Sequence, residues 1–343
     1  MTPSAVIFGC AGHRLSDTER RFFREANPLG FILFARNCDS PDQVRTLVDE
    51  LRGAVGRADA PILIDQEGGR VARLRPPHWR AAPPPAAFGQ LARRDLDAAC
   101  DAVRLNARLL AAELSDLGIS VDCAPLLDLS LPETHAVIGD RSFGEDPELV
   151  ATLGRAACEG FLAGGVLPVV KHVPGHGRAT VDSHHELPVV DTPLDVLRET
   201  DFRAFRALND APWAMTAHVV YTAVDPVRPA TTSPTVVAEV IRGDIGFRGV
   251  LVSDDLSMEA LSGDLGARTR AALAAGCDIA LHCNGRMEEM EAVAAAASPL
   301  SPAAMGRLAA AAARLSTPEP VEIVALTDRL EALLGADTRP SHA

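Results

Sequence analysis

Short apolar runs recur along the chain, and a segment with helical periodicity follows each of them. Helix-start signals lie between the runs: Ser16 with Glu19 fits a capping box, and Ser40-Pro41 and Ser233-Pro234 fit an N-cap followed by proline. Apolar runs of this kind are typical of parallel strands buried on both faces. The pattern therefore predicts an α/β fold of eight βα units, with runs at residues 5–8, 30–34, 61–64, 119–123, 167–170, 213–216, 250–252 and 278–281.

The chain length favours one way of closing these units into a domain. At 343 residues, a single (β/α)8 TIM-type barrel accounts for eight strand and helix pairs, and an open doubly wound sheet is the alternative. The stretch from Met287 onwards is alanine-rich and helical in pattern. We therefore expect one catalytic domain over residues 1–343, in which the residues after about 286 form helices that close the barrel.

Polar residues follow the predicted strands at one end. Asp65, Asp122, Asp254 and Asn284 each come directly or shortly after an apolar run, and Lys171 with His172 follows another. The carboxyl ends of barrel strands share one face, where the active sites of such barrels lie. A single Asp or Asn after a strand is equally well explained as a helix cap, but the whole set favours a site.

Composition narrows the class of partner. The formal net charge is −13, from 33 basic and 46 acidic residues, and no basic run is present. This balance disfavours nucleic acid and anionic membranes as partners. Without an export signal or a long apolar segment, we expect a cytoplasmic protein that is a monomer or weak oligomer. The seven scattered cysteines, which form no CxxC pair, are expected to be reduced thiols.

Histidines cluster after the fifth apolar run. Residues 171–177 (KHVPGHG) and 182–185 (DSHH) place four histidines, a lysine and an aspartate in fifteen residues. Loops anchored on rigid strands are where catalytic side chains gather. Taken alone, the cluster leaves a metal-dependent barrel hydrolase open.

Several motifs in this order resemble glycoside hydrolase family 3, and most closely its β-N-acetylglucosaminidase branch. The resemblance runs from about residue 6 to about residue 285. Val173 is a departure, since the family often has phenylalanine there. The matching segments are 64–71 (IDQEGGRV), 137–143 (VIGDRSF), 171–177, 182–184, 215–218 (MTAH) and 253–258 (SDDLSM).

The resemblance implies a catalytic set without metal or cofactor. Asp254 is expected to be the nucleophile that forms a covalent glycosyl-enzyme, with Asp255 in support. His184 is expected to be the acid/base and Asp182 the carboxylate that orients it. Imidazole suits this role because histidine titrates near neutrality.

The same resemblance implies a sugar-binding set. Asp65 is expected to bind hydroxyls of the terminal sugar, and Arg73, Arg141, Lys171 and His172 to complete a polar cradle around it. Charged groups make strong hydrogen bonds to hydroxyls. Arg73 and Arg141 are also explained as solvated or paired surface groups.

The expected function is a retaining exo-β-N-acetylglucosaminidase of bacterial cell-wall recycling. Its substrates would be peptidoglycan (muropeptide) fragments, N-acetylglucosaminyl-1,6-anhydro-N-acetylmuramic acid with or without attached peptide. The alternatives are a β-N-acetylglucosaminide phosphorylase, a metal-dependent barrel hydrolase and a sugar-binding barrel without activity.

Overall fold

The protein is described here by a computed structural model that covers residues 2–315, 317–318 and 321–335. Eight strands form a closed parallel barrel, in the order Ser4–Phe8, Pro28–Leu33, Ile62–Ile64, Val121–Asp122, Leu167–Val173, Trp213–Thr216, Val250–Asp255 and Ile279–His282. The predicted (β/α)8 barrel is confirmed. The described strands are β1 (Ser4–Phe8), β2 (Pro28–Leu33), β3 (Ile62–Ile64), β4 (Val121–Asp122), β5 (Leu167–Val173), β6 (Val189–Val190), β7 (Trp213–Thr216), β8 (Val220–Tyr221), β9 (Asp225–Pro229), β10 (Val250–Asp255) and β11 (Ile279–His282).

All eight predicted runs are barrel strands, but three of them end later than predicted, β11 by one residue and β5 and β10 by three. β5 continues through Lys171 and His172 to Val173, and β10 continues through Asp254 to Asp255. These side chains therefore project from the strands themselves and not from the loops that follow. Strand backbone fixes side-chain direction more firmly than a loop does.

Helices surround the barrel. Ser16 forms the predicted capping box with Glu19, whereas Ser40 precedes its helix without a side-chain cap. The helix after Ser233 is wound as a π-helix, Val236–Asp244. The labelled helices are α1 (Asp17–Ala26), α2 (Pro41–Val55), α3 (Pro85–Ala92), α4 (Leu96–Asp116), α5 (Pro147–Ala163), α6 (Leu194–Glu199), α7 (Asp201–Ala207), α8 (Leu265–Ala275), α9 (Met287–Ala296), α10 (Pro302–Ala312) and α11 (Ile323–Gly335); the 3₁₀ turns are Ala35–Asn37, Gly139–Arg141 and Ala230–Thr232.

A small second sheet is an addition that the sequence analysis did not predict. Strand β8 pairs in parallel with β6 and antiparallel with β9. Two of these strands have only two residues each, too few to show an alternating pattern. The sheet lies beside the loop after β5, because Tyr221 in β8 donates a hydrogen bond from its hydroxyl to the carbonyl of Gly175.

The alternation of the strands decides which side chains enter the barrel. Leu63, Val169 and Val252 point inward and pack together in the barrel interior. Successive side chains of a strand point to opposite faces, so the residue two positions later points inward as well. Those residues are Asp65, Lys171 and Asp254.

The other end of the barrel is covered by the segment after β11. Leu300, Ala304 and Ala311 pack against the barrel interior, and Leu300 donates a backbone hydrogen bond to Pro3. The domain predicted over residues 1–343 includes positions outside the described residues, namely 1, 316, 319–320 and 336–343. Within the described ranges, no helix is long and apolar enough to cross a membrane.

Candidate active site

A cavity of about 440 Å³ opens at the carboxyl ends of the barrel strands. This volume is in the range of small-molecule sites. Apolar side chains such as Phe34, Met215 and Leu281 form part of its wall. The structure brings all eight predicted site residues to this cavity: Asp65, Arg73, Arg141, Lys171, His172, Asp182, His184 and Asp254.

Five charged side chains form a network at the buried end of the cavity. Lys171 Nζ lies 2.8 Å from Asp65 Oδ1 and 2.7 Å from Glu67 Oε1. Arg73 contacts the other oxygen of Asp65 at 3.0 Å. Arg141 binds both oxygens of Glu67, at 2.8 and 2.9 Å. Each cation is thus held by a carboxylate, and the arginines are not free surface groups.

The network keeps its members ionised despite their burial. Burial alone would raise the pKa of Asp65, but Lys171 and Arg73 lower it below its ordinary value. Burial would likewise raise the pKa of Glu67, and Lys171 and Arg141 reverse that effect. Burial tends to lower the pKa of Lys171, but the two carboxylates raise it above its usual range. The site therefore presents fixed charges to a ligand.

His172 is oriented by a carboxylate that sequence reasoning did not find. Its Nδ1 lies 2.7 Å from Oδ2 of the fully buried Asp128. Burial raises the pKa of Asp128, but His172 and His176 lower it to about 2, so the carboxylate is ionised and accepts the Nδ1–H. This leaves Nε2 of His172 at the cavity, 4.0 Å from Oδ2 of Asp254.

Asp254 lies near the end of β10 with its side chain 17% exposed. Its Oδ1 accepts the backbone N–H of Asp255 at 2.8 Å. Burial raises its pKa, but His172 and His218 together with that N–H lower it below its ordinary value. Asp254 is thus an ionised carboxylate at the cavity surface. Asp255 binds Ser257 and the N–H of Cys283 with its carboxylate, which fixes the turn after β10.

Asp182 and His184 form a pair on the loop after β5. Oδ1 of Asp182 lies 2.7 Å from Nδ1 of His184 and accepts the backbone N–H of His184 at 2.9 Å. Burial would raise the pKa of Asp182, but the hydrogen bonds from His184 lower it below its ordinary value. The His184 side chain is 58% exposed, so its free nitrogen is accessible to a ligand.

Two polar residues at the ends of barrel strands, His218 and Asn284, lie outside the cavity wall. His218 is buried between Thr231 Oγ1, at 2.7 Å, and the carbonyl of Asp255, at 3.0 Å. Asn284 donates to Glu289. His218 therefore supports the backbone beside Asp254, and Asn284 joins the loop after β11 to helix α9.

Glu67 and Asp128 are the two site residues that sequence reasoning missed. Glu67 lies two positions after Asp65 within the segment 64–71 that carries the family resemblance, so the motif itself was a usable signal. Asp128 is a lone charge in the apolar segment Pro125-Leu126-Leu127-Asp128-Leu129. A charge there needs buried partners, but their identity depends on the fold.

Three of the four histidines of the cluster have separate partners. His172 contacts Asp128, His184 contacts Asp182, and Nε2 of His176 lies 3.1 Å from Ser183 Oγ. Among the residues that the structure describes, no group of three or more His, Cys, Asp or Glu side chains is arranged to hold a metal ion. The geometry instead offers an accessible carboxylate and a carboxylate-bound imidazole at one cavity.

A (β/α)8 barrel with these two features at its carboxyl-end cavity has the architecture of a barrel glycoside hydrolase. Comparison with known proteins agrees. The profile described as "Glycosyl hydrolase family 3 N terminal domain" matches residues 7–317. The chain belongs to glycosyl hydrolase family 3, and it is an enzyme of the glycoside hydrolase class.

Similar proteins come from several bacteria. A beta-hexosaminidase of Bordetella avium is 40% identical over 290 residues, which are 83% of this chain and 81% of that protein. Native NagZ from Neisseria gonorrhoeae superposes with a TM-score of 0.86 at 33% identity, covering 99% of each chain. The same Neisseria protein in complex with N-trifluoroacetyl-D-glucosamine gives a TM-score of 0.86 at 34% identity, over 97% of this chain and 99% of that chain. The chain is therefore a β-hexosaminidase-like member of the family.

Proposed function

We propose that the protein is a retaining exo-β-N-acetylglucosaminidase whose catalytic domain spans residues 1–343. The observation that carries the proposal is the shared cavity of Asp254 and the Asp182–His184 pair. Retention requires a nucleophilic carboxylate on one side of the anomeric carbon and a proton donor on the other. An ionised carboxylate on a strand and an accessible imidazole on a loop provide these two groups.

In the first chemical step, Asp254 attacks the anomeric carbon while the bond from that carbon to the leaving oxygen breaks. Protonated His184 gives its proton to the leaving oxygen, and a glycosyl ester with Asp254 forms. In the second step, neutral His184 takes a proton from water, the water oxygen attacks the anomeric carbon, and Asp254 leaves. Asp182 holds the imidazole and stabilises its protonated form.

The buried charge network is suited to bind the terminal sugar. Asp65 accepts hydrogen bonds from hydroxyls, Arg73, Arg141 and Lys171 donate to ring substituents, and His172 offers its Nε2 as a further partner. Because these groups lie at the buried end of the cavity, they favour the end of a glycan over an internal unit. This favours exo action. The names of the Bordetella relative and of the Neisseria complex favour an N-acetylhexosamine as that terminal unit.

The leaving group is proposed to be anhydro-N-acetylmuramic acid of peptidoglycan fragments, with a cytoplasmic role in cell-wall recycling. The family resemblance suggests this choice. A histidine acid/base also supports it, since a neutral imidazole repels an anionic leaving group less than a carboxylate does.

The proposed function is tested with two disaccharides of equal length. We expect faster hydrolysis, by kcat/KM, of N-acetylglucosaminyl-1,6-anhydro-N-acetylmuramic acid than of N,N′-diacetylchitobiose, with free N-acetylglucosamine as product. Equal rates would remove the support for a peptidoglycan substrate. N-acetylglucosamine 1-phosphate as the main product in phosphate buffer would establish the phosphorylase instead.

A further inference from the structure

The loop after β5 has an anchored base, residues 174–179, and a tip, residues 180–187. The base is held from several sides. Asp128 accepts the N–H of His176 at 2.6 Å, and Arg178 Nε binds Asp201 at 2.6 Å. Gly177 lies so close to Leu129 that a Cβ atom would approach its carbonyl oxygen to 2.2 Å. The base is therefore fixed against the barrel.

The tip carries the Asp182–His184 pair but is more exposed than the base. Thr180, His184 and His185 are exposed, whereas Ser183 is only 4% exposed. Two hydrogen bonds join Ser183 to the rest of the domain: its Oγ lies 3.1 Å from His176 Nε2, and its carbonyl accepts the N–H of Ala260 at 3.3 Å. Ser183, which lies between Asp182 and His184 in the sequence, thus connects the tip to the rest of the domain.

We propose that the hydrogen bond between His176 and Ser183 is a positioning contact that holds His184 over the cavity for proton transfer. The inference rests on the proposed role of His184 as acid/base. Through His176, the position of the tip depends on Asp128, the same carboxylate that orients His172 at the sugar-binding end. One buried carboxylate thereby aligns both the sugar-binding histidine and the proton-transfer loop.

The chemistry of His176 fits a positioning role better than a proton-transfer role. Its side chain is 3% exposed, and burial, together with the neighbouring His172, lowers its pKa to about 4. It therefore stays neutral in the pH range in which a histidine of ordinary pKa titrates. Burying a polar ring costs free energy, which the bond to Ser183 offsets.

The leaving group of the substrate separates positioning from general stability. Aryl β-N-acetylglucosaminides with a poor leaving group, such as phenyl, need a proton from the acid, whereas 2,4-dinitrophenyl does not. We expect Ser183→Ala to lower kcat for the phenyl substrate by about 3- to 10-fold, the value of one hydrogen bond of ordinary strength. The 2,4-dinitrophenyl substrate should lose less than about 2-fold in its bond-breaking step under the same principle.

Three further variants complete the experiment. His176→Phe should give the same leaving-group dependence, and the double variant should lose no more than either single one, because both remove one bond. Thr180→Ala, at an exposed position of the tip, should behave as the wild type. His184→Ala should show a larger leaving-group dependence than Ser183→Ala.

The possible outcomes distinguish failure of the positioning contact from failure of the proposed acid/base role. If His184→Ala discriminates between the two leaving groups and Ser183→Ala does not, the positioning contact is refuted and the proposed function stands. This includes the case in which Ser183→Ala loses activity equally on both substrates, because equal losses would indicate a structural role alone. If His184→Ala itself fails to discriminate, the acid/base assignment falls, and the positioning role falls with it.

Discussion

Replacing Glu67 by glutamine removes one charge from the buried network and keeps the shape of the side chain. Glu67 is 1% exposed at its side chain and binds Arg141 through both oxygens and Lys171 through one. The five charged groups of the network have a formal sum of +1, from three cations and two carboxylates. Glu67→Gln raises this sum to +2 and leaves two buried cations with weaker acceptors.

The expected loss follows from the burial of the pair. Breaking a buried ion pair costs about 3–5 kcal/mol, and glutamine keeps one acceptor oxygen, so we expect about 3 kcal/mol. At the usual entropy of unfolding per residue, a chain of this length has about 0.7 kcal/mol/K, so Tm should fall by about 4 °C. We also expect kcat/KM to fall by about 10-fold or more. If Lys171 or Arg141 moves, a loss of about 1.4 kcal/mol of transition-state stabilisation is enough for a 10-fold decrease.

Scanning calorimetry and steady-state kinetics on an aryl β-N-acetylglucosaminide measure both quantities. Glu145→Gln is the matched control, because Glu145 is exposed and the substitution removes the same charge. It should change Tm by less than about 1 °C, as surface substitutions usually do. A Glu67→Gln variant with unchanged Tm and unchanged kcat/KM would refute the claim that the network holds the sugar-binding cations in place.

Three further predictions concern the histidines. The free energy of unfolding should fall by about 3 kcal/mol between pH 6.5 and pH 4, because His176 binds a proton in this range when unfolded but not when folded, where its pKa is about 4. Tm should therefore fall less steeply with decreasing pH in His176→Gln than in the wild type. Parallel curves of Tm against pH would contradict this. His184→Glu should lower the preference for anionic over neutral leaving groups in kcat/KM, and an unchanged preference would count against the electrostatic reason for histidine. Treatment with EDTA should leave activity unchanged because His172, His176 and His184 each bind a different protein group, whereas loss of activity and its return with zinc would favour the metal-dependent hydrolase.

Apolar runs predicted the barrel because each strand is buried on both faces. The same pattern underestimated β5 and β10, since polar residues near their ends, Lys171 and His172 in β5 and Asp254 in β10, face the cavity and interrupt the apolar run. It also missed the sheet of β6, β8 and β9, whose short strands have no periodicity of their own. Strand length at a functional site thus depends on contacts that an apolar pattern does not record.

The candidate site was predictable where a motif marks it. The resemblance located Asp65, Lys171 and Asp254, and the structure brings them to one cavity. Sequence spacing gave no reason to connect Asp128 with His172, because their contact joins residues 44 positions apart. His176 and Ser183 are only 7 positions apart, but their hydrogen bond could be recognised only in the structure, where both side chains are buried.

The most direct test of the proposed mechanism is to trap its covalent intermediate. The enzyme would be incubated with a 5-fluoro N-acetylglucosaminyl donor or a 2-deoxy-2-fluoro glucosyl donor, digested, and mapped by mass spectrometry for the labelled residue. We expect one glycosyl group on Asp254 and no labelling of Asp254→Asn. A label on another residue, or no covalent species while the donor is turned over, would contradict the mechanism.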